Sequence, residues 1–315
     1  MNTTLKAVPL LLAGLLSLPA PAEESPASAV TAAAAAAPAA AHQVRRGILY
    51  RVRRDGHTGY LMGTIRFGRA DYFPIEGEAQ QDFADAGSLL LDLDTRNKMP
   101  MQDAVKKYAM YEGKDTLDKH VSPATMALLK QVLEEAKIPY DIVSRMKPWM
   151  AANVLTAVTL ERQGLRVSQA TDTWFLNAAV AQKKDIEGFS NADDQLGRFG
   201  GMSARAQDDY LRASLADLHS GATVEQTRKL AQAWADSDGD ALEKLAADFG
   251  KDKSARIAFG RKVRQQRNPA LAARIEAQLK SDASSFACID VMSLLGEKSV
   301  PQLLARDGFE VTRLY

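Results

Sequence analysis

Residues 59–68 read Gly59-Tyr60-Leu61-Met62-Gly63-Thr64-Ile65-Arg66-Phe67-Gly68. The stretch is a short apolar run, typical of a buried β-strand, and it ends on the charged residue Arg66. A rigid sheet aims the last side chain of such a strand in a fixed direction, so strand ends are common places for functional groups in α/β proteins. Arg66 is therefore the first candidate for a functional residue.

The residues before this stretch predict a β-hairpin. A second β-type run covers residues 47–53, and the dipeptide Asp55-Gly56 lies between the two runs. Asp-Gly between two such runs favours a tight two-residue turn. His57 follows this turn, and because no other histidine is near in sequence, we expect an exposed turn residue rather than a metal ligand.

Strand patterns at both ends of the chain flank a long helical middle. Apolar strand patterns recur at residues 88–94, 285–292 and 309–314, whereas residues 101–280 are mainly of helical character, with one short strand candidate at 185–189. We predict a mixed α/β (α+β) fold in which a central mixed β-sheet is built from the N- and C-terminal strands, with a helical insertion between them. Proline at a first helical position marks several predicted helix starts, including Pro269.

Composition and charge describe an ordinary globular protein. The chain has 315 residues, of which 46% are hydrophobic and 25% charged, and Lys+Arg (40) nearly balances Asp+Glu (39). This balance argues against nucleic acid as a partner. The only cysteine, Cys288, excludes an intramolecular disulfide, and its place in an apolar run predicts a core residue rather than a nucleophile.

The N-terminal residues predict export. Residues 1–22 combine a positive start at Lys6, an apolar run over residues 7–18 and small residues suited to cleavage. The apolar run is shorter than the roughly 20 residues that a membrane span needs, although an uncleaved anchor stays an alternative. We expect a signal peptide at 1–22, an Ala/Pro-rich linker at 23–43 and a folded domain at 44–315, with no transmembrane segment in the mature chain. The expected location is the periplasm or the exterior.

Several segments, taken in order, resemble the TraB/GumN family, which includes the PrgY and Tiki proteins. The similarity covers residues 44–315 and implies a mixed α/β fold with a Gly-x-x-His motif at each of two strand ends. In the Tiki branch those histidines, with nearby carboxylates, are taken to form a metal site for peptide-bond cleavage, since a bound divalent ion activates water. The segments that carry the resemblance are Leu49-Tyr50-Arg51-Val52, Tyr60-Leu61-Met62-Gly63-Thr64-Ile65, Phe73-Pro74-Ile75, Ala84-Asp85-Ala86-Gly87-Ser88-Leu89, Lys147-Pro148-Trp149, Asp193-Asp194-Gln195-Leu196, Arg267-Asn268, Leu294-Leu295-Gly296 and Gly308-Phe309-Glu310-Val311.

The chain departs from the family at each position that carries chemistry. Arg66 replaces the first histidine, and an arginine cannot coordinate a cation. In the second motif, Asp290 and Ser293 stand where the glycine and the histidine would be. The expected carboxylate on the next strand is the shorter Asp92, and Ser190 stands in place of a glutamate. These five residues form a vacated family site, and we expect no catalytic residue and no metal ligand among them.

Three arrangements of the remaining charges stay open. Asp92, Asp94 and Asp290 could gather into an oxygen-only site for Mg²⁺ or Ca²⁺, although Arg66 beside them would repel the ion. Alternatively, Arg66 and Asp290 form a bidentate ion pair in place of the metal. In the plainest alternative, Arg66 faces solvent and Asp290 caps a turn. The basic run at residues 261–267 is interpreted as a solvated helix face.

The predicted function is accordingly a non-catalytic one, that of a pseudoenzyme with a binding or scaffolding role. The partner would be a protein, a peptide or an anionic small molecule, and no cofactor is expected. The alternative is a metal-dependent peptidase or hydrolase with a non-standard, carboxylate-based site. A third hypothesis places a protein-docking surface on the helical insertion. The candidate binding residues are Gly63, Arg66, Asp92, Asp94 and Asp290.

Overall fold

The computed structural model describes residues 45–281 and 284–315. The predicted signal peptide and linker, residues 1–22 and 23–43, lie outside the described residues. The folded domain is built on a six-stranded sheet in the order β4-β3-β5-β2-β1-β6. Its strands are β1 (Leu49–Arg54), β2 (His57–Thr64), β3 (Ser88–Leu93), β4 (Asp185–Ser190), β5 (Ser284–Asp290) and β6 (Glu310–Arg313).

The sheet confirms the predicted mixed α/β fold. Five of its strands come from the two ends of the domain, as expected, while the edge strand β4 comes from within the helical insertion. β5 is parallel to both β2 and β3, and β3 is parallel to β4, whereas β1 is antiparallel to β2 and β6. The carboxyl ends of β2, β3, β4 and β5 therefore meet at one edge of the sheet, the edge where open α/β sheets bind ligands.

The β1–β2 hairpin has the turn that its sequence predicts. Asp55 and Gly56 have φ angles of 51° and 82°, so both lie in the left-handed region that a two-residue hairpin turn of the primed kind requires. Arg54 pairs with His57 across this turn, and the register brings Leu49 opposite Met62. The hairpin register thereby fixes where β2 ends, and with it the position of Arg66 just after the strand.

The helices cover both faces of the sheet and form a separate helical layer. They are α1 (Glu78–Asp85), α2 (Met99–Ala109), α3 (Pro123–Glu135), α4 (Pro148–Arg162), α5 (Thr171–Ala181), α6 (Ala192–Gly200), α7 (Ala204–His219), α8 (Ala222–Ala235), α9 (Gly239–Lys251), α10 (Ala255–Ser281) and α11 (Val300–Arg306). Short 3₁₀ turns join several of them, and one of these, Val291–Ser293, directly follows β5. The strand predicted to reach residue 292 therefore ends at Asp290.

Alternate residues of the central strands enter two different hydrophobic clusters. Met62 and Cys288 pack on one face with Trp234, whereas Leu61 and Ile289 pack on the other. This division follows from the two-residue period of a strand. Cys288 is 1% exposed, which confirms its prediction as a core residue.

Helix α10 corrects one prediction. The sequence predicts two helices, at residues 254–266 and 269–280, but Ala255–Ser281 is continuous with Pro269 inside it. Proline removes one backbone hydrogen bond, yet its φ is itself helical, so tertiary packing decides the outcome. Here Leu271 and Ile275 are buried, and the buried Asn268 side chain donates to the Lys298 carbonyl at 2.9 Å.

Within residues 45–281 and 284–315, no helix has both the length and the apolar character that a membrane span requires.

Candidate functional site

A cleft of about 540 Å³ opens beside the carboxyl ends of the parallel strands. Arg66 follows β2 and Asp92 belongs to β3, and both side chains line this cleft. Helices α2, α4, α5, α6, α7 and α10 supply most of the remaining wall. The sheet thus places two of the vacated family positions, those of Arg66 and Asp92, in the lining of a concave site rather than on a flat surface.

The floor of the cleft is held by a buried ion pair between Arg267 and Asp92. Arg267 Nη1 lies 2.6 Å from Asp92 Oδ2, and the two side chains are 10% and 16% exposed. Arg267 Nη2 also approaches Ser293 Oγ at 3.4 Å. A charge removed from water needs a partner of this kind, since an unpaired one is costly. Asp92 Oδ1 and Arg267 Nε are also buried, and neither has a hydrogen-bond partner among the described residues.

Arg66 is held far more loosely than Arg267. Its Nη2 lies 3.7 Å from Asp92 Oδ2 and its Nε lies 4.0 Å from Asp290 Oδ2, while its side chain is 66% exposed. Of the open arrangements, the ion pair of Arg66 with Asp290 is present only as a single long contact and not as a bidentate pair, since a second long contact goes to Asp92. The plainer alternative describes the geometry better, since Arg66 faces the solvent of the cleft and Asp290 Oδ1 caps the turn by accepting from Met292 N at 3.0 Å.

The electrostatic surroundings keep Arg66 positive. Removal from bulk water would lower the pKa of Arg66, but Asp290 and Asp92 outweigh this effect and raise the pKa above its ordinary value. On the wall opposite, burial raises the pKa of Asp172, although Arg66 acts in the other direction. The cleft therefore holds two groups with raised pKa values, the Arg66 guanidinium and the Asp172 carboxyl group.

The two serines of the vacated site have structural partners. Ser190 Oγ donates to the Asp92 carbonyl at 2.9 Å and accepts from Gln195 Nε2 at 3.0 Å, which links β4 to β3. Ser293 is 0% exposed and contacts Arg267. The structure thus brings the predicted site residues to one strand-end edge, but it uses both hydroxyl groups to fasten the floor.

Three of the candidate binding residues, Gly63, Asp94 and Asp290, lie outside the cleft lining. The Gly63 carbonyl accepts from Trp234 Nε1 at 2.7 Å, and a Cβ at Gly63 would meet Val291 Cγ2 at 3.1 Å, so this glycine serves close packing behind the floor. Asp94 is bound by Arg96, whose Nη2 lies 2.7 Å from Asp94 Oδ2. The hydrogen bond from Arg96 lowers the pKa of Asp94.

These side chains do not fit the divalent ion that the family's histidines would hold. Within residues 45–281 and 284–315, no three His, Cys, Asp or Glu side chains are grouped so that they could hold a metal ion. Arg66 stands at one histidine position, and Asp92 is already bound to Arg267. Guanidinium groups repel a cation and cannot ligate it, so the carboxylate-only alternative finds no ligand set here.

The basic run at residues 261–267 faces the protein and not only solvent. Arg261 Nη1 donates to the carbonyls of Phe249 and Gly250 at the end of α9, Arg264 lines the cleft, and Arg267 binds Asp92. The interpretation as a solvated face is therefore wrong for these three arginines. Their spacing of three residues, which puts them on one side of a helix, is the signal that sequence reasoning missed.

Arg264 is a second arginine that lines the cleft and has donors to spare. It forms no ion pair with any carboxylate of the described residues, although its guanidinium feels the charge of Asp290. Burial lowers the pKa of Arg264, Asp290 raises it, and Arg267, Arg261 and Arg66 lower it further. Several positive groups therefore converge here with too few direct counter-charges.

The rest of the cleft is an apolar chamber, whose residues come from four helices and the end of a fifth. Phe199 stacks on Trp149 with ring centroids 4.9 Å apart. The Tyr210 hydroxyl donates to Asn153 Oδ1 at 3.0 Å, and burial raises the pKa of Tyr210 to about 12. We define the apolar chamber by Met101, Val105, Trp149, Leu196, Phe199, Phe249 and Ile257.

Comparisons with known proteins give one match. Neither the curated protein sequences nor the solved structures contain a match to this chain. A family model described as TraB/PrgY/gumN family matches residues 48–313, which spans β1 to β6 and confirms the resemblance found in the sequence. The chain belongs to the TraB/PrgY/gumN family.

Proposed function

We propose that this chain is an exported, non-catalytic member of its family that binds an anionic ligand in the strand-end cleft. The observation that carries the proposal is Arg66, a cation at the position of the family's first histidine. Its side chain is 66% exposed, and its nearest carboxylate contacts are 3.7 and 4.0 Å long.

The loose contacts of Arg66 suit exchange for a ligand. A guanidinium group presents several N–H donors in a planar fork that matches a carboxylate or a phosphate. Arg66 uses little of that capacity on Asp92 and Asp290, because both contacts exceed ordinary hydrogen-bond lengths. An incoming anion can therefore take direct hydrogen bonds from Arg66 without breaking the buried pair on the floor.

The engagement of the carboxylates supports a non-catalytic role over hydrolysis. A metal-dependent hydrolase needs an ion that activates water, and Asp92, its best-placed carboxylate, is bound to Arg267 at 2.6 Å. One carboxylate oxygen of Asp290 already accepts a hydrogen bond from the Met292 amide. Location outside the cytoplasm belongs to the proposal because of the signal-like pattern of residues 1–22.

Calorimetric titration of the purified protein with inorganic phosphate, benzoate and hexanoate tests the proposal. We expect saturable binding of at least one anion, and a weakening of about tenfold or more in Arg66→Ala because one charge-assisted contact is lost. Arg69→Ala is the matched control, since Arg69 is an exposed arginine outside the cleft that pairs with Asp71. Equal binding by wild type and Arg66→Ala would overturn the role of the cleft and would favour a docking surface on the helical insertion.

A further inference from the structure

The cleft joins two arginines, Arg66 and Arg264, to an apolar chamber in one continuous cavity. Arg66 and Arg264 line the same cavity as the apolar chamber, which contains three aromatic rings. A ligand that satisfied only Arg66 would leave that apolar volume empty. The arrangement matches a molecule with a negative group at one end and an apolar body at the other.

Arg264 extends the positive end of this cavity. It approaches Arg66 and Arg267 closely enough to feel their charges, yet it has no carboxylate partner among the described residues. Two guanidinium groups repel one another, and an anion placed between them relieves that repulsion. Asp172 is a further carboxyl group of the cleft lining, and burial raises its pKa.

Three other polar groups of the lining are already occupied. Arg256 binds Asp217 at 2.8 Å, the Tyr210 hydroxyl bonds to Asn153, and the Gln195 amide bonds to Ser190. A peptide backbone entering the chamber would find few partners for its N–H and C=O groups, and unpaired polar groups are costly. An aliphatic chain needs no such partners, so the chamber favours a hydrocarbon over a peptide.

We propose that the ligand of this cleft is an aliphatic carboxylate, with its carboxylate between Arg66 and Arg264 and its hydrocarbon chain in the apolar chamber. The inference rests on the proposed anion-binding function and adds the ligand class and a second recognition residue. A cavity of about 540 Å³ lies within the range of roughly 300–1,000 Å³ found for small-molecule sites. Affinity is then set by two separable parts, the charge at one end and the length of the chain at the other.

A chain-length series measures the apolar part. Calorimetric titration with butanoate, hexanoate and octanoate should show affinity rising by about fourfold per added methylene until the chamber is filled. Octanol, which has the same chain without the charge, should bind at least tenfold more weakly than octanoate. The variant Val105→Trp, which adds bulk to the chamber wall on α2, should flatten the series, so that octanoate loses more affinity than butanoate.

Substitutions on α10 measure the charged part. Arg264→Ala should weaken octanoate binding about tenfold, and Arg264→Lys should keep part of the affinity because it keeps the charge. Lys262→Ala is the matched control, since Lys262 is an exposed cation two residues earlier on the same helix. Far-ultraviolet circular dichroism and a thermal melt of each variant verify that it is folded before it is titrated.

The outcomes separate this inference from the function on which it rests. Binding that depends on Arg66 but is flat with chain length, or that Arg264→Ala and Lys262→Ala affect equally, overturns the aliphatic-carboxylate inference and leaves anion binding standing. Octanol binding as tightly as octanoate overturns the charged end of the inference. Absence of binding by every anion, short or long, overturns both the inference and the proposed function.

Discussion

Two arginine environments share one cleft, and they differ in how their charge is balanced. On the floor, Arg267 is 10% exposed and meets Asp92 at 2.6 Å. At the mouth, Arg66 is 66% exposed with contacts of 3.7 and 4.0 Å, and Arg264 has no carboxylate partner among the described residues. In the first environment the arginine charge is balanced by a close carboxylate. In the second, the guanidinium groups still have donors that a ligand can use.

This difference separates the part of the vacated family site that stabilises the fold from the part that is open to a ligand. A buried ion pair is costly to break from one side but contributes little on its own, since desolvation offsets attraction. An exposed arginine contributes little to stability but keeps its donors accessible. Stability should therefore respond to the floor, and binding should respond to the mouth.

The largest effect is expected at Arg267. Arg267→Ala leaves Asp92 buried without its partner and should lower the free energy of unfolding by about 3–5 kcal/mol, measured by denaturant titration. The double variant Arg267→Met, Asp92→Leu removes both charges and should recover most of that loss. A change within about 1 kcal/mol in Arg267→Ala would contradict the description of the floor as a structural pair.

A smaller loss is expected behind the floor, at Trp234. Its Nε1 donates to the Gly63 carbonyl at 2.7 Å, and the ring is 0% exposed. Trp234→Phe keeps an aromatic ring but leaves that carbonyl unpaired, which should cost about 1–3 kcal/mol of unfolding free energy. Anion affinity should stay unchanged. A variant that is stable but no longer binds would place Trp234 in the binding site and contradict the separation of floor and mouth.

Replacing Asp172 by asparagine should raise the stability of the protein in a pH-dependent way. In the folded protein burial raises the pKa of Asp172 above 3.8, so ionisation is harder in the folded state than in the unfolded chain. The contribution of this group is fully present below pH 3.8 and is lost as the pH rises through the raised pKa. Asp172→Asn should therefore stabilise the protein at neutral pH and not at pH 3.

Thermal melts across that pH range measure the effect, and the exposed Asp185→Asn serves as the control. A gain for Asp172→Asn at pH 3 as large as at pH 7 would contradict the assigned cause. The same variant should tighten anion binding at neutral pH, because it removes a negative charge from the cleft wall.

The smallest change in stability is expected for Arg66→Ala. Exposed ion pairs typically contribute no more than about 1 kcal/mol, so denaturant titration should place this variant within about 1 kcal/mol of wild type. Its anion binding should nevertheless weaken about tenfold or more. A variant that loses stability as strongly as Arg267→Ala would show that the mouth and the floor are one unit.

Much of the fold was predictable, because its signals are local. The Asp55-Gly56 turn, the apolar strands and the strand-end positions of Arg66, Asp92 and Asp290 follow from periodicity and turn chemistry. The number of strands in the sheet was less predictable. Whether β4 joins the sheet depends on pairing with β3, which lies about a hundred residues earlier and leaves no mark in the sequence of β4.

The cleft itself was only half visible in the sequence. Arg264 and the pairing of Arg267 with Asp92 were hidden because a basic run resembles a solvated face, and because Pro269 indicates a helix start where α10 continues. In the sequence, Arg267 stands out only as part of the Arg267-Asn268 segment. Only the packing of α10 against the sheet turns one side of that run toward Asp92 and the cleft. The three-residue spacing of the arginines is the one feature that could have identified them beforehand.

Metal analysis of the purified protein is the most direct test of the claim that this cleft receives an anion and not a metal ion. After equilibration with Zn²⁺, Mn²⁺ or Co²⁺ and removal of the free ion, the account predicts well under one bound ion per chain and no peptide cleavage in any of the three. One tightly bound ion per chain, lost in the isosteric variant Asp92→Asn and accompanied by peptidase activity, would contradict it.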